Sequence, residues 1–345
     1  MQVLEQVLLA PYTTFGIGGP ARWFVEASTE DEVLEAVRFA QKRNVPLFVL
    51  GGGSNLLVSD AGFPGVVLRI SLKGIEQKKT SESAMFSVAA GEDWDAFVTL
   101  AVGQNYAGIE CLAGIPGTVG GTPVQNVGAY GQEVAETIRL VRALDLRAME
   151  YVELDAKECG FAYRRSIFNS SERGRYIVTR VHYELRSCLN ASLSYADLKR
   201  YFESWTREPT LWEVSSAVRD IRHQKGMLIV AGDPDCRSAG SFFKNPIISA
   251  EHFARLTASM DGMSVPSYPA ANGQVKIPAA WLLDQAGFHK GYALGRAGIS
   301  SRHTLALINR GGASASDMTA LRDAIVAKVL ERFAIRLEPE PVWVG

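Results

Sequence analysis

Within the first fifty positions the spacing of apolar residues shifts from strand to helix and back. Arg22 to Ala27 reads as a strand, and the polar run after it opens a helix, with Thr29 placed to cap it and Glu32 to reach back in a capping box. Val33, Ala36, Val37 and Ala40 recur at helical spacing, and Asn44 suits a left-handed stop. Val45 to Leu50 is a short buried strand, so residues 21–50 form a β-α-β unit that runs into Gly51-Gly-Gly-Ser-Asn55. Residues 66–90 read as strands. Glu92 to Gln104 reads as a helix with Trp94, Phe97, Val98 and Ala101 facing inward. From 137 to 187 apolar and polar residues alternate as in antiparallel strands.

Beyond about Arg186 the composition shifts, and segments near 196–205 and 211–222 have helical spacing. Pro278 opens a short helix over Ala279 to Ala286 that Gly287 closes, and Thr304 to Asn309 reads as a strand. A strongly amphipathic helix follows near 316–333, with Met318, Leu321, Ile325, Val329 and Phe333 on one face. Pro339 and Pro341 exclude helix from the tail. The stretch Ser238 to Pro246 sets polar chemistry among apolar residues. If it is extended beyond Gly240, Ser241, Phe243 and Asn245 share one face and Phe242 and Lys244 the other. A strand leaving a turn, with Ser241 bonded to nearby backbone, is the plain alternative.

A chain of 345 residues allows two or three domains. With 36 Lys+Arg against 37 Asp+Glu there is no footprint for nucleic acid and no polybasic membrane anchor. Cys111, Cys159, Cys188 and Cys236 are dispersed, which suits reduced, mostly buried thiols of a cytosolic protein, and the scattered histidines give no metal-ligand spacing. The apolar residues Val7 to Ala10 lack the basic flank and length of a signal peptide, and no run approaches a membrane span. A soluble intracellular protein is expected.

Glycine is abundant and clustered. Gly51-Gly52-Gly53-Ser54-Asn55 follows a strand, as a phosphate-cradling loop does. It is not a Walker A loop, because no Gly-Lys-Ser/Thr follows. Nor is it a Rossmann fingerprint, because Leu56-Leu57-Val58 continues as a strand. Two further segments, 114–121 and 128–131, favour one large dinucleotide held by backbone; the alternative is three unrelated turns.

Taken in order, Thr14-Phe15-Gly16-Ile17, Gly51-Gly-Gly-Ser-Asn55, Gly114-Ile-Pro-Gly-Thr-Val-Gly-Gly121, Asn126-Val-Gly-Ala-Tyr-Gly131, Tyr163-Arg-Arg-Ser166, Gly240-Ser-Phe-Phe-Lys-Asn-Pro246 and Leu337-Glu-Pro-Glu340 span nearly the whole chain. The set resembles the UDP-N-acetylenolpyruvoylglucosamine reductase family, flavoenzymes that make UDP-N-acetylmuramate for peptidoglycan. The resemblance implies an α+β protein. Two subdomains, 1–70 and 71–215, would form an FAD-binding fold of the vanillyl-alcohol-oxidase/PCMH type, with 335–345 returning to the first. A C-terminal α+β substrate domain would span 216–334.

The resemblance further implies FAD held by Gly51, Gly52, Gly53, Ser54, Asn55, Pro116, Gly117, Thr118, Gly120, Gly121, Gly128 and Ala129, with NADPH as electron donor. It assigns Arg164, Ser241 and Glu340 to catalysis, and Tyr130, Tyr195, Lys225 and Asn245 to the nucleotide sugar. Tyr195 would be the lid of a tyrosine loop, Leu193 to Leu198. It also implies a cytoplasmic monomer without nucleic-acid, membrane or metal partners.

The implied chemistry adds hydride from flavin to the terminal carbon of an enol ether, and charge develops on the neighbouring carbon and its carboxylate. Arg164 suits a two-bond grip on that carboxylate, while Arg165 would face the other way in a strand. Glu340 would have to be protonated or act through Arg164 and water, and Ser241 would give the proton to carbon. Here the 226–237 segment is longer than in some relatives, and Pro341 follows Glu340, which leaves Glu338 as a rival. Another FAD oxidase of the same fold, or a silent nucleotide-sugar binder, are the competing readings. The first histidine after Gly51 is His182, which argues against a histidine tether on flavin.

Overall fold

The computed structural model describes residues 1–191, 193–260 and 262–345. The chain packs as two compact units. One comprises Met1–Val7, Pro20–Gly53 and Phe63–Gln224, and the other Leu8–Gly19, Ser54–Gly62 and Lys225–Gly345.

The first unit holds a sheet of β1 (Leu4–Leu8), β2 (Pro20–Ala27), β5 (Phe63–Ile70) and β3 (Leu47–Leu50), in that order. β2 and β3 both run parallel to β5, which lies between them. The β-α-β crossover expected from the sequence therefore skips one strand position, which β5 fills. Its helix α1 (Glu30–Lys42) packs Val33, Ala36, Val37 and Ala40 on this sheet. The Thr29 side chain accepts from the Glu32 N–H, but the Glu32 carboxylate reaches Ser28, at 2.8 Å, rather than closing the box on Thr29. Asn44 takes φ +51° as expected of a stop.

The remaining sheet of this unit is antiparallel, ordered β12 (Glu150–Asp155), β11 (Ile138–Asp145), β13 (Tyr176–Ser187), β7 (Ser83–Ala89), β6 (Ile75–Lys79), with β8 (Tyr106–Ala107) on β13. Helix α2 (Trp94–Gly103) presses Trp94 and Phe97 onto it. Phe97 meets Phe86 at 5.5 Å and Tyr183 at 5.2 Å between ring centroids. The Phe97–Phe86 pair is edge-on, an arrangement that adds about 0.5–1.5 kcal/mol beyond area burial. Tyr183 keeps its hydroxyl 2.7 Å from Thr122, and burial pushes its pKa up. Helices α3 (Ala196–Tyr201) and α4 (Leu211–Gln224) close the unit.

In the second unit, helix α7 (Ala315–Phe333) buries Met318, Leu321, Ile325, Val329 and Phe333, the stripe read from the sequence. They share a core with Phe15, Ile17, Leu57, Phe242 and Phe243. Small sheets surround it: β17 (Ala293–Leu294), β18 (Ala297–Ile299) and β19 (Leu307–Asn309), then β14 (Ile247–Ile248), β16 (Val275–Lys276) and β15 (Tyr268–Pro269). Helices α5 (Ala250–Ala258) and α6 (Ala279–Gln285) complete it. Early residues join this unit through specific bonds. β4 (Leu56–Val58) runs parallel to the C-terminal β20 (Val342–Val344). Asp60 accepts from the Ala315 N–H at 2.7 Å, capping α7, and Asn309 donates to the Phe15 carbonyl at 2.9 Å.

Some expectations need correction. The strand expected from Thr304 starts only at Leu307, because 300–306 closes on itself: Ser300 N–H donates to Ala306 and Ala306 N–H to His303. The Ser241 stretch is not a two-faced strand. Phe242 and Phe243 are both buried, at 0% and 1% exposure, since core packs on both sides of it. Nor do Arg164 and Arg165 alternate in a strand. Ala162 and Arg165 exchange backbone bonds around a tight turn, with Tyr163 and Arg164 at its tip.

Asp145, buried at the end of β11, receives Arg175 at 2.6 Å and the Arg147 N–H at 2.9 Å. The Arg175 bond is the main cause that lowers its pKa to about 2. A carboxylate lowered on folding stabilises the fold fully above its ordinary value, about 4, and loses that contribution as pH falls toward its folded value. Asp145→Asn should lower Tm at neutral pH, with the deficit narrowing between about pH 4 and about pH 2. Thermal unfolding across pH measures this; a deficit that does not change with pH would argue against it.

Candidate active site

The first unit brings the glycine loops together. An added Cβ on Gly52 would stand 2.5 Å from the Gly117 Cα, so the two loops touch backbone to backbone. The 114–118 loop is pinned at both ends. Its Gly114 N–H donates to Asp95 at 2.6 Å and its carbonyl accepts from the buried Arg222 at 3.0 Å, while Gly117 accepts from the Trp94 N–H at 3.1 Å. Burial pulls the Arg222 pKa down. Among the described residues, the N–H groups of Gly52, Gly53, Gly117 and Thr118 donate to no protein acceptor, and Gly53 is buried. Buried amides require partners. Backbone donors in adjoining loops, three of the four on glycines without a Cβ, fit the oxygens of a pyrophosphate, so this cradle suits FAD.

Beside it, β9 (Gly128–Ala129) and β10 (Gln132–Glu133) form a hairpin whose two turn residues, Tyr130 and Gly131, have φ +48° and +86°. Positive φ at both positions is the type I′ signature. The Tyr130 ring meets Tyr195 edge-on at 5.6 Å, so the tyrosine loop packs on the hairpin. Arg164 also takes a left-handed φ, +53°, and its Nη1 lies 3.2 Å from where a Gly128 Cβ would be. Such a conformation costs of order 1–3 kcal/mol in a non-glycine residue. Three side chains hold the Arg164 turn. Asn126 donates to Ala162 at 3.1 Å, Asn169 to the Arg164 carbonyl at 3.1 Å, and Ser166 to Val124 at 2.6 Å. Asn126 was not singled out from sequence, although an asparagine beside a Val-Gly step inside a quoted motif was a usable signal. It is 1% exposed and also bonds Glu133 and Ala135.

In the second unit, Ser241 and Glu340 sit on paired backbone. The Glu340 N–H donates to the Phe242 carbonyl at 2.8 Å, the Lys244 N–H donates to Glu338 at 3.0 Å, and Phe243 and Pro339 form an antiparallel bridge. Asn55 joins them, donating to the Glu340 carbonyl at 3.2 Å and accepting from the Val342 N–H at 2.9 Å. The Ser54 carbonyl accepts from Thr14 at 3.3 Å. Glu338 turns outward, its side chain 72% exposed and paired with Lys244 at 3.2 Å, which disfavours it as the rival acid.

Ser241 Oγ lies 3.4 Å from His303 Nε2, a histidine that sequence reading passed over. Asn245 uses its carboxamide oxygen to accept from the Ala279 N–H at 2.9 Å at the start of α6. Lys225 precedes Gly226, and the 226–237 segment after it is fixed by Arg302, which bonds Asp233 and Asp235.

Residues 21–150 match a family model described as FAD binding domain, and 233–344 match that of the UDP-N-acetylenolpyruvoylglucosamine reductase C-terminal domain. Fold and cradle together define an FAD-dependent oxidoreductase. Over 349 residues the chain is 47% identical to a UDP-N-acetylenolpyruvoylglucosamine reductase of Thermobifida fusca, covering 99% of this chain and 98% of that one. It is 46% identical to one from Streptomyces coelicolor, covering 100% and 91%. The crystal structure of the Thermus caldophilus UDP-N-acetylenolpyruvylglucosamine reductase superposes with TM-score 0.66 at 29% identity and covers 100% of both chains. The chain belongs to the UDP-N-acetylenolpyruvoylglucosamine reductase family.

Gly52→Val should yield a colourless protein. Its side chain would enter the space that the Gly117 backbone fills, and the loops must separate. Flavin content per chain after purification measures this, and a variant with full flavin would remove Gly52 from the cradle.

Proposed function

We propose that this chain reduces the enolpyruvyl ether of UDP-N-acetylglucosamine to UDP-N-acetylmuramate, as a cytoplasmic monomer, in peptidoglycan precursor synthesis. Residues 1–70 and 71–215 serve as the two flavin subdomains and 216–334 as the substrate domain. The parallel sheet within the first stretch, the antiparallel sheet within the second, and the pairing of Val342–Val344 with Leu56–Val58 support that division. Among the described residues no helix is long and apolar enough to cross a membrane.

FAD held by the Gly51–Asn55 and Gly114–Thr118 loops would supply, with NADPH as the electron donor, the hydride that the terminal enol carbon accepts. The chain's own residues manage the charge and the proton. Arg164, held in its strained turn, presents a permanent cation to the substrate carboxylate, where negative charge grows as the double bond is lost. Glu340, in its protonated form, donates a hydrogen bond to the developing enolate. Ser241 gives its hydroxyl proton to the neighbouring carbon. Lys225 and the Asn245 NH₂ hold the diphosphate, and Tyr195 covers the nucleotide beside Tyr130. The backbone pairing of the Ser241 and Glu340 segments is the observation that supports this assignment, since a hydroxyl and a carboxyl then lie on neighbouring segments.

Ser241→Ala should bind flavin and accept electrons from NADPH, yet be reoxidised by the enolpyruvyl sugar roughly 10²–10⁴-fold more slowly, as for loss of a positioned general acid. Ser241→Cys should retain more activity than the alanine variant. Anaerobic stopped-flow mixing of prereduced enzyme with substrate reads this directly, and wild-type reoxidation by the alanine variant would refute the role. Lys225→Ala should raise KM for the nucleotide sugar roughly 10- to 100-fold, as for a lost charge-assisted bond, with less effect on flavin reduction by NADPH. Equal loss in both half-reactions would make Lys225 a structural residue instead.

A further inference from the structure

A serine that gives up its proton to carbon becomes an alkoxide, a strong base that must regain a proton before the next turnover. Near this stretch Glu338 pairs with Lys244, and Arg302 with Asp233 and Asp235. The side chain placed on Ser241 Oγ is His303, at 3.4 Å from Nε2.

Its placement is built into the backbone. The Phe242 N–H, one residue after Ser241, donates to the Leu305 carbonyl at 2.8 Å, which sets the 300–306 loop in register with the Ser241 stretch. Ser300, fully buried, accepts from the N–H groups of Arg302 at 3.1 Å and His303 at 3.3 Å, which fixes the turn that presents the imidazole. On either side, Ser301 donates to Asp235 at 2.7 Å and Thr304 to Asp284 at 3.3 Å, so both flanks are tied down. A hydrogen bond at the long end of the range between two such groups is the kind that tightens in a substrate complex.

We propose that His303 acts through Ser241 as the proton source that regenerates its hydroxyl, an inference that rests on Ser241 being the donor to carbon. As the Ser241 O–H bond breaks and the new C–H bond forms, the Nε2–H bond of the imidazolium breaks and the Oγ–H bond re-forms. The enolate carbon gains one proton, His303 becomes neutral, and solvent returns its proton between turnovers. No electrons move in this relay. Imidazole is suited to it because its ordinary pKa lies near neutrality, so it is protonated readily and releases readily.

The test is single-turnover reoxidation of prereduced enzyme in wild type, His303→Ala, Ser241→Ala and the double variant, with flavin content and substrate affinity measured by titration on each. His303→Ala should retain flavin and bind substrate normally but reoxidise about 10- to 100-fold more slowly, at the lower end of what a positioned acid contributes. Added imidazole should restore rate saturably, and the histidine change should add nothing in the Ser241→Ala background, the non-additivity expected of residues acting in series. If His303→Ala folds poorly, His303→Asn gives the same comparison with a side chain that donates but cannot relay. A wild-type rate in the histidine variants, or a slow rate that imidazole leaves unchanged and that adds fully to Ser241→Ala, overturns the relay. Failure of the wild-type enzyme to reoxidise with the enolpyruvyl sugar would instead overturn the functional reading, and unimpaired Ser241→Ala the serine assignment alone.

Discussion

The backbone on either side of Phe242 is held from two directions. Its N–H is fixed by Leu305 and its carbonyl by Glu340, while its ring lies fully buried beside Phe15, with centroids 6.3 Å apart. Those two bonds set the position of Ser241 relative to the 300–306 loop and to the C-terminal tail at once. Removing a buried phenylalanine ring typically costs about 3–5 kcal/mol. The Ser241 stretch is therefore anchored by apolar packing as well as by backbone bonds.

The first unit uses a different device. Its candidate cofactor cradle is made of backbone, and its shape depends on two glycine loops lying close enough that a single Cβ would separate them. Loops without side chains have little packing of their own, so their position comes from neighbours. Asp95, Trp94 and Arg222 hold the 114–118 loop from helices α2 and α4. A buried arginine is expensive to desolvate. Here it bonds a carbonyl that would otherwise lie buried without a partner.

Strain gathers at two of the residues proposed to meet substrate. Tyr130 and Arg164 both adopt left-handed backbone, and each sits at the tip of a two-residue turn. Such turns aim a side chain outward from a fixed base. Asn126, Asn169 and Ser166 supply that base for Arg164, so the conformational cost is offset by bonds that are themselves buried or half-buried.

What the sequence determined by itself is whatever depends on local order. The helices α1, α2 and α7 and their buried stripes, the antiparallel run from 137 to 187, and the ordered motifs that mark the family all follow from spacing along the chain. Spacing could not report which strand lies between β2 and β3, nor that residues 8–19 and 54–62 pack with the C-terminal unit, because those choices are made by pairing between separated segments, Trp23 with Val66 in the first case and Leu56 with Val342 in the second. It also misread the faces of Ser241 and Arg164. Alternation presumes a strand with one buried side, whereas tertiary packing buried both phenylalanines and folded the arginine into a turn. His303 was illegible for the same reason: its value lies in what it touches, 62 residues away.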